Sequence, residues 1–508
     1  MPRISYDQLS RFSLAILFGF SIGPNISLGE VKLPALLSDH MVVQRDLPVH
    51  IWGMAAVAET VSASFRGQSQ STVADELGRW SLYFSPGEAG GPFQLTVRGT
   101  NIVDLSDILV GDVWVASGQS NMEFPMTQLT DAQTEIATAR NPRIRLLHVD
   151  HNPSDYPLEN ITAKLAWTDC NPESVADFSA VAYFFGRNLQ QKIGVPIGLI
   201  ESSWGGTPAE SWTSLHALSA DASLMPVFAA RSKIVDTEAT TILDLQREYR
   251  EFERVLAQAR AEGKPAPGRT WHPDFQAWAP SALFNGMIAP LTGFGIRGVI
   301  WYQGESNTGP ERGFLYSHLF PAMISDWRRA WGEGDFPFLF VQIANWSSDP
   351  EDDWPQVRNA QRTTLSLKNT GMAVTIDIGD PVDIHPKNKQ VVGQRLALAA
   401  RAIAYGEKIE YSGPLVLQVI RENLTLHIWF DHAAGLKAKG GDAMRGFEVA
   451  GADGKFFPAD AKIDGTTVIV SSPSVVAPVS VRYGWASNPD CNLYNGEGLP
   501  ASPFQSTL

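Results

Sequence analysis

The sequence predicts an α/β protein whose parallel sheet is covered by helices on both faces and flanked by a β region at each end. Three observations predict it. Apolar strands alternate with longer helical stretches from Ile108 to Tyr405, a rhythm that packs into a parallel sheet. Short runs of alternating polarity, separated by glycine and polar turns, fill the stretch from Val31 to about Asp107. Short strands return after Gly413. At 508 residues the chain is long enough for several domains, since one domain takes about 150 residues. Its 44% hydrophobic and 19% charged residues are ordinary for a folded protein.

In chain order, Arg3 and Arg11 precede an apolar stretch from Phe12 to Gly23, then Pro24 and the small-residue pattern Ser27-Leu28-Gly29. This reads as a secretory signal over 1–29, cleaved before Glu30, and predicts an exported protein, periplasmic or extracellular. No later segment is long and apolar enough to span a bilayer. Residues 30–107 are predicted as a β-sandwich, with strands in Val49–Gly53, Val61–Phe65, Trp80–Phe84 and Phe93–Val97. Residues 108–411 form the α/β domain. Its strands are expected at Ile108–Ala116, Ile197–Ser202, Ile296–Tyr302, Phe336–Ala344 and Met372–Ile378, and its helices at Val181–Lys192, Leu315–Trp331 and Val391–Tyr405. Between about 217 and 280 a charged helical segment and Lys264-Pro-Ala-Pro-Gly268 interrupt the rhythm as an insertion. Residues 412–508 are the C-terminal β region, with strands at Leu415–Ile420, Leu424–Phe430 and Val468–Ser471.

A formal net charge of −14 without a run of lysine or arginine argues against nucleic acid and against an anionic membrane as partner. The substrate is then neutral, or an anion met by a few local cations. Cys170 and Cys491 either pair in an oxidising compartment or stay free. No clustered Cys/His, His-Glu-x-x-His or phosphate-cradling glycine loop occurs, so neither metal nor cofactor is expected. None of these features sets an oligomeric state.

The chemistry concentrates where predicted strands end, the place where open parallel sheets build their sites. The first strand runs into Gly118-Gln-Ser-Asn-Met122, which exposes the hydroxyl of Ser120 at a helix start, with Gln119 and Asn121 beside it. The second ends in Glu201-Ser-Ser-Trp-Gly-Gly-Thr-Pro208, where Gly205 or Gly206 lets the backbone approach a substrate and donate an N–H. The third ends in Trp301-Tyr-Gln-Gly-Glu-Ser-Asn307, where Gln303 offers an amide donor to the same oxyanion and Glu305 holds the loop. After the fifth comes Asp377-Ile-Gly-Asp-Pro-Val-Asp-Ile-His385. A neutral imidazole accepts a serine proton, and a carboxylate on its other nitrogen orients it. Asp383 is placed to do so; Asp377 and Asp380 are alternatives. The order Ser120, Asp383, His385 suits a triad on an α/β sheet. A glycosidase would need two paired carboxylates, for which Glu201 and Glu305 are candidates, but that leaves Ser120 and His385 without a role.

Taken together, these segments resemble the sialate O-acetylesterase family of SGNH-type serine hydrolases. Further matching stretches are Gly393-Gln-Arg-Leu-Ala-Leu398 and Leu493-Tyr-Asn-Gly-Glu-Gly-Leu-Pro-Ala-Ser-Pro-Phe504. The resemblance implies a flavodoxin-like, three-layer catalytic domain and metal-free hydrolysis of acetyl esters on sugars. It assigns acyl transfer to Ser120, His385 and Asp383, and an oxyanion hole to Ser120, Gly205, Gly206 and Gln303. It also implies that the N-terminal β region is similar to sugar-binding sandwiches. The chain departs from the commoner SGNH pattern, in which the acid stands three residues before the histidine. That departure leaves Asp380 or a backbone carbonyl as the alternative to Asp383. The expected substrate is an O-acetylated sialic acid, the alternative is acetylxylan or another plant glycan, and the reading from another class is a silent carbohydrate-binding protein. For a sialate carboxylate, Arg187, Arg312 and Lys387 are the cations to inspect.

Overall fold

The structure, a computed structural model, describes residues 30–262, 264, 274–310, 312–348, 352–441 and 443–508. The predicted signal segment and most of Lys264–Gly268 lie outside the described residues. Strands of the first two regions are β1 (Val42–Gln44), β2 (Val49–Met54), β3 (Thr60–Phe65), β4 (Gln68–Val73), β5 (Arg79–Phe84), β6 (Gly90–Arg98), β7 (Ile102–Gly118), β8 (Asn141–Val149), β9 (Ala163–Cys170), β10 (Ile197–Ser203), β11 (Gly298–Tyr302), β12 (Phe338–Val341) and β13 (Thr370–Ala373).

The central sheet has the order β13-β12-β11-β7-β10-β8-β9, parallel throughout except for the antiparallel edge strand β9. Alternate residues of β7 explain why it reads as a continuous apolar run. Val113 and Val115 belong to one core, shared with Trp301, Trp327 and the helix Arg312–Trp331, while Trp114 and Ala116 belong to a second, shared with the helices Ala180–Ile193 and Lys389–Ile403. Both faces are dry, so neither can be polar. The result is the predicted α/β class: three layers on a parallel sheet, with β regions at both ends.

The helices begin where side chains can satisfy orphan N–H groups. Ser179 accepts from Ala182 N–H and Asn388 from Val391 N–H, and Gly194 closes the helix Ala180–Ile193 in the left-handed region at φ 69°.

Two strands of the central sheet were absent from the expectation, β8 and β9. In β8 the apolar pattern is broken by Pro142, Arg143 and Arg145. Arg145 is nonetheless buried, because its guanidinium bonds Asp107 at 2.6 Å and the Pro142 carbonyl at 2.9 Å. The expected boundary at 107/108 falls within the 17 residues of β7. Its first part pairs with β6 and β1 in the N-terminal region, and Asp112–Gly118 pairs with β10 and β11. Asp107 marks a bend there, with φ at 54° and its carboxylate held by His40 and Arg145.

Among its described residues the insertion holds one long helix, Pro226–Ala261, preceded by the short helices Leu215–Ala220 and Ala222–Leu224. At the C-terminus two four-stranded antiparallel sheets enclose their own core around Leu426, Ile428, Val449, Val468, Val481 and Phe504. Cys170 and Cys491 are both free thiols, and burial raises them to about 12 and about 11 respectively.

Candidate active site

Chain order reverses across the sheet at β7, since β8 and β10 lie on one side and β11 on the other. Such a switch point opens a crevice at the carboxyl ends of the strands. Gly118 ends β7 there at φ 137°, and a Cβ on it would stand 2.1 Å from the Tyr302 carbonyl oxygen of β11. Only glycine fits so close to the neighbouring strand. Gln119 N–H then donates to Tyr302 O at 2.9 Å, and the one-turn helix Ser120–Glu123 begins.

His385 Nε2 lies 2.8 Å from Ser120 Oγ, across 265 residues of sequence. Both line a cavity of about 480 Å³ together with Glu123, His148, Lys164 and Asp177. Burial, with the nearby Lys389 charge, holds the His385 imidazole below its ordinary value, and Asp383 only partly opposes this. His385 is therefore mostly neutral at pH 7 and able to accept a proton. Asp383 accepts the His385 backbone N–H at 2.9 Å, while its Oδ1 is 3.8 Å from Nδ1, beyond hydrogen-bond reach. Asp380 accepts from Val382 N–H, and Asp377 is taken up by Arg395 at 2.6 and 2.8 Å.

Two of the expected oxyanion donors, Gly205 N–H and the Gln303 amide, are engaged within the protein. Gly205 packs against Ser120, for a Cβ on it would be 3.2 Å from Ser120 Cβ, and its N–H donates to Glu123 Oε2 at 2.6 Å. Gly206 turns the chain at φ 73°. Gln303 is fully buried. Its amide nitrogen donates to Asn307 Oδ1 at 2.6 Å and to Thr207 O at 3.2 Å, while its oxygen accepts from Tyr316. Gln303 reaches an oxyanion only by giving up one of these bonds.

The supporting residues form a connected set. Gln119 Oε1 accepts from Gly304 and Ser306 N–H, joining the first and third strand-end loops. Asn121 Nδ2 donates to Glu305 Oε1 at 2.6 Å and to Ile384 O at 3.1 Å, next to His385. Its Oδ1 accepts from the buried Lys389 ammonium at 2.5 Å. Lys389 also lies 4.7 Å over Phe124 and 5.5 Å over Tyr302. Burial lowers Lys389 to about 7 against the pull of Glu305 and Asp383, and burial raises Glu305.

Several residues of the site were not anticipated. His148 Nε2 meets Glu201 Oε2 at 2.5 Å beneath the cavity. His151 Nε2 is 3.1 Å from both Glu123 Oε1 and Ser203 O, and its ring stacks on Trp204 at 4.1 Å. Burial would lower His151, but the bond to Glu123 and its charge raise it overall; the same pairing outweighs burial at Glu123 and lowers it. These partners lie far apart in sequence, so no spacing advertises them. Lys389 left one signal, a cation opening a helix at the positive end of its dipole. Of the cations proposed for a carboxylate, Arg187 pairs with Glu135 and Arg312 with Glu210, and Lys387 lines a separate small cavity. The lysine at the Ser120 cavity is Lys164.

Residues 269–402 match the family of carbohydrate esterases described as sialic acid-specific acetylesterase. The sialate O-acetylesterase of Rattus norvegicus is 31% identical over 529 residues, covering 94% of each chain. That of Homo sapiens is 30% identical over 526 residues, covering 93% of this chain and 92% of its own. Among solved structures, a carbohydrate acetylesterase from Xanthomonas citri superposes with a TM-score of 0.81 at 38% identity, over 94% of this chain and 99% of the other.

Proposed function

This chain belongs to the sialate O-acetylesterase family and is a carboxylic ester hydrolase of acetylated carbohydrate, and from that premise we propose a serine mechanism acting on O-acetylated sialic acid. The observation that carries the mechanism is the 2.8 Å approach of His385 Nε2 to Ser120 Oγ at an open cavity. His385 takes the Ser120 proton as Oγ bonds to the acetyl carbonyl carbon, whose π electrons move onto oxygen. The Ser120 N–H and a Gly205 or Gly206 N–H receive that oxyanion, with Gln303 as a third donor. Because Glu123 holds Gly205 N–H, the oxyanion competes with that carboxylate. Collapse breaks the ester bond, and the sugar oxygen leaves with the proton from His385. Water, deprotonated by His385, then attacks the acetyl-serine and releases acetate and free Ser120. Asp383 stabilises the imidazolium by its charge and orients its loop through the His385 N–H.

Lys164 at the cavity supports an anionic sugar, since it is the ammonium that a sialate carboxylate meets there. Domain roles follow the same reading: 30–107 as a sugar-binding-like β region, 108–411 as the esterase and 412–508 as the C-terminal β region, after an export signal over 1–29.

Ser120→Ala should lower turnover of a chromogenic acetyl ester by roughly three orders of magnitude or more with folding intact; a loss below about tenfold removes Ser120 as nucleophile. Acetate release should be compared on O-acetylated sialic acid and on acetylxylan oligomers. Lys164→Met should raise KM for the sialate about tenfold and leave the xylan value alone. A kcat/KM about tenfold higher on xylan in the unaltered enzyme would end the sialate assignment and leave the serine mechanism standing.

A further inference from the structure

A second cavity, of about 750 Å³, lies between the N-terminal β region and the α/β domain. Strands β2 and β5 pair antiparallel, with His50 opposite Tyr83, Trp52 opposite Ser81 and Met54 opposite Arg79. Val49, Ile51, Trp80, Leu82 and Phe84 face the core, so alternation assigns the other face to solvent. That outward face carries the rings of His50, Trp52 and Tyr83 beside Ser81 and Arg79. His50 is sandwiched between Trp52, at 4.7 Å and 20°, and Tyr83, at 4.4 Å and 6°. Its Nδ1 donates to the Gly293 carbonyl at 2.9 Å, which locks the stack against the α/β domain. Burial keeps this imidazole neutral, so the stack carries no charge. Tyr83 is 58% exposed and lines the cavity.

Around this rigid platform stand hydroxyl-binding groups. Arg79 and Glu159 form an ion pair across the mouth, and Asp75 and Asn160 line the same wall. A flat aromatic surface ringed by carboxylate, guanidinium and amide groups suits a pyranose, with C–H bonds on one face and hydroxyls at the rim. The volume falls within the range of small-ligand sites, about 300–1,000 Å³. The loop between β8 and β9 connects the two cavities: His151 contacts Glu123, which lines the Ser120 cavity, and Leu158, Glu159 and Asn160 line the second.

We propose that this cavity is a pyranose-binding subsite that holds a non-reacting sugar unit of an acetylated glycan chain. The inference rests on the carbohydrate-esterase reading and extends it from a single acetylated sugar to an oligosaccharide.

Calorimetric titration of the full chain with xylohexaose and with 3′-sialyllactose tests it. At least one of these should bind the unaltered protein and the Ser120→Ala variant alike. Tyr83→Ala should weaken that binding roughly tenfold or more, whereas Tyr83→Phe, which keeps the ring, should stay within about twofold. Turnover of 4-nitrophenyl acetate should change less than about twofold in both Tyr83 variants, because the ester site is separate. The oligosaccharide that binds identifies a neutral or an acidic glycan. Absence of binding by the folded, active wild type, or equal binding by Tyr83→Ala, overturns the subsite. Loss of the esterase reading would show separately, as no turnover of 4-nitrophenyl acetate by the folded wild type.

Discussion

An ammonium group buried at the first position of a helix is placed where the helix dipole and the low dielectric both oppose its charge. Lys389 holds that place because Asn121 accepts its proton-bearing nitrogen and passes a second bond to Glu305 and a third to Ile384 O. The side chain beside the serine is thereby tied to the backbone beside the histidine. Lys389 is a positioning residue in this view, and its charge also helps to hold His385 below its ordinary value. On the serine mechanism proposed above, the acid limb of the pH–rate profile reports the His385 proton, with activity rising as that proton leaves. Lys389→Met should move this limb to higher pH, since a cation that disfavours the imidazolium has gone. It should also lower kcat about tenfold, equivalent to ~1.4 kcal/mol, with KM little changed. The same loss in kcat with an unmoved limb would reduce Lys389 to a packing role.

At the scale of the element, Glu333 follows the helix Arg312–Trp331 and closes a cavity at the amino ends of the sheet, with its carboxylate accepting Ile296 N–H at 3.3 Å. Burial raises it from 4.5 to about 7. An acid raised on folding adds stability that is complete below its unfolded value and fades as pH rises through the folded one. Stability should therefore decline between about pH 4.5 and 7 through this residue. Glu333→Gln keeps an acceptor for Ile296 N–H and should be ~1–2 kcal/mol more stable than wild type at pH 8 and equal to it at pH 4, by urea midpoints. An equal gain at both pH values would assign the effect to something other than ionisation.

Elements also show what a sequence can disclose. The central strands were legible because both faces of each are buried, which forces the apolar runs Val113–Ala116 of β7 and Ile197–Ile200 of β10. Strand β8 was not, because Arg145 spends its charge inside the fold on Asp107, a partner no local pattern reveals. The site divides in the same way. Ser120 and His385 stand beside strand-end signatures that local chemistry makes visible, whereas His151 with Glu123, and Lys389 with Asn121, acquire meaning only from contacts across the crevice.

On the scale of the whole molecule, β7 belongs to two structures at once, pairing with β6 and β1 before Asp112 and with β10 and β11 after it. At the crossover the buried Asp112 carboxylate accepts from Arg45 at 2.8 and 3.0 Å and from Tyr405 at 2.8 Å, which joins the N-terminal region to the α/β domain. Breaking such a buried cluster on one side costs about 3–5 kcal/mol. Residues 108–508 expressed alone should be insoluble or lack a cooperative thermal transition, while residues 30–508 should unfold their N-terminal and central sheets together. A soluble 108–508 fragment with full turnover of 4-nitrophenyl acetate would contradict this.

The shared strand also constrains how such a gene can diversify. Recombination exchanges modules where the encoded chain can be cut in a surface linker, so that donor and recipient each keep whole elements. At the crossing from the N-terminal sheet to the central sheet no such seam exists, because the chain passes from one to the other inside β7. Lineages descended from this protein cannot trade their N-terminal region as a cassette without also replacing the strand that presents Ser120. If the subsite proposed above holds a sugar, new glycan preferences arise by point substitution on the outward face of β2 and β5, where Tyr83 is exposed.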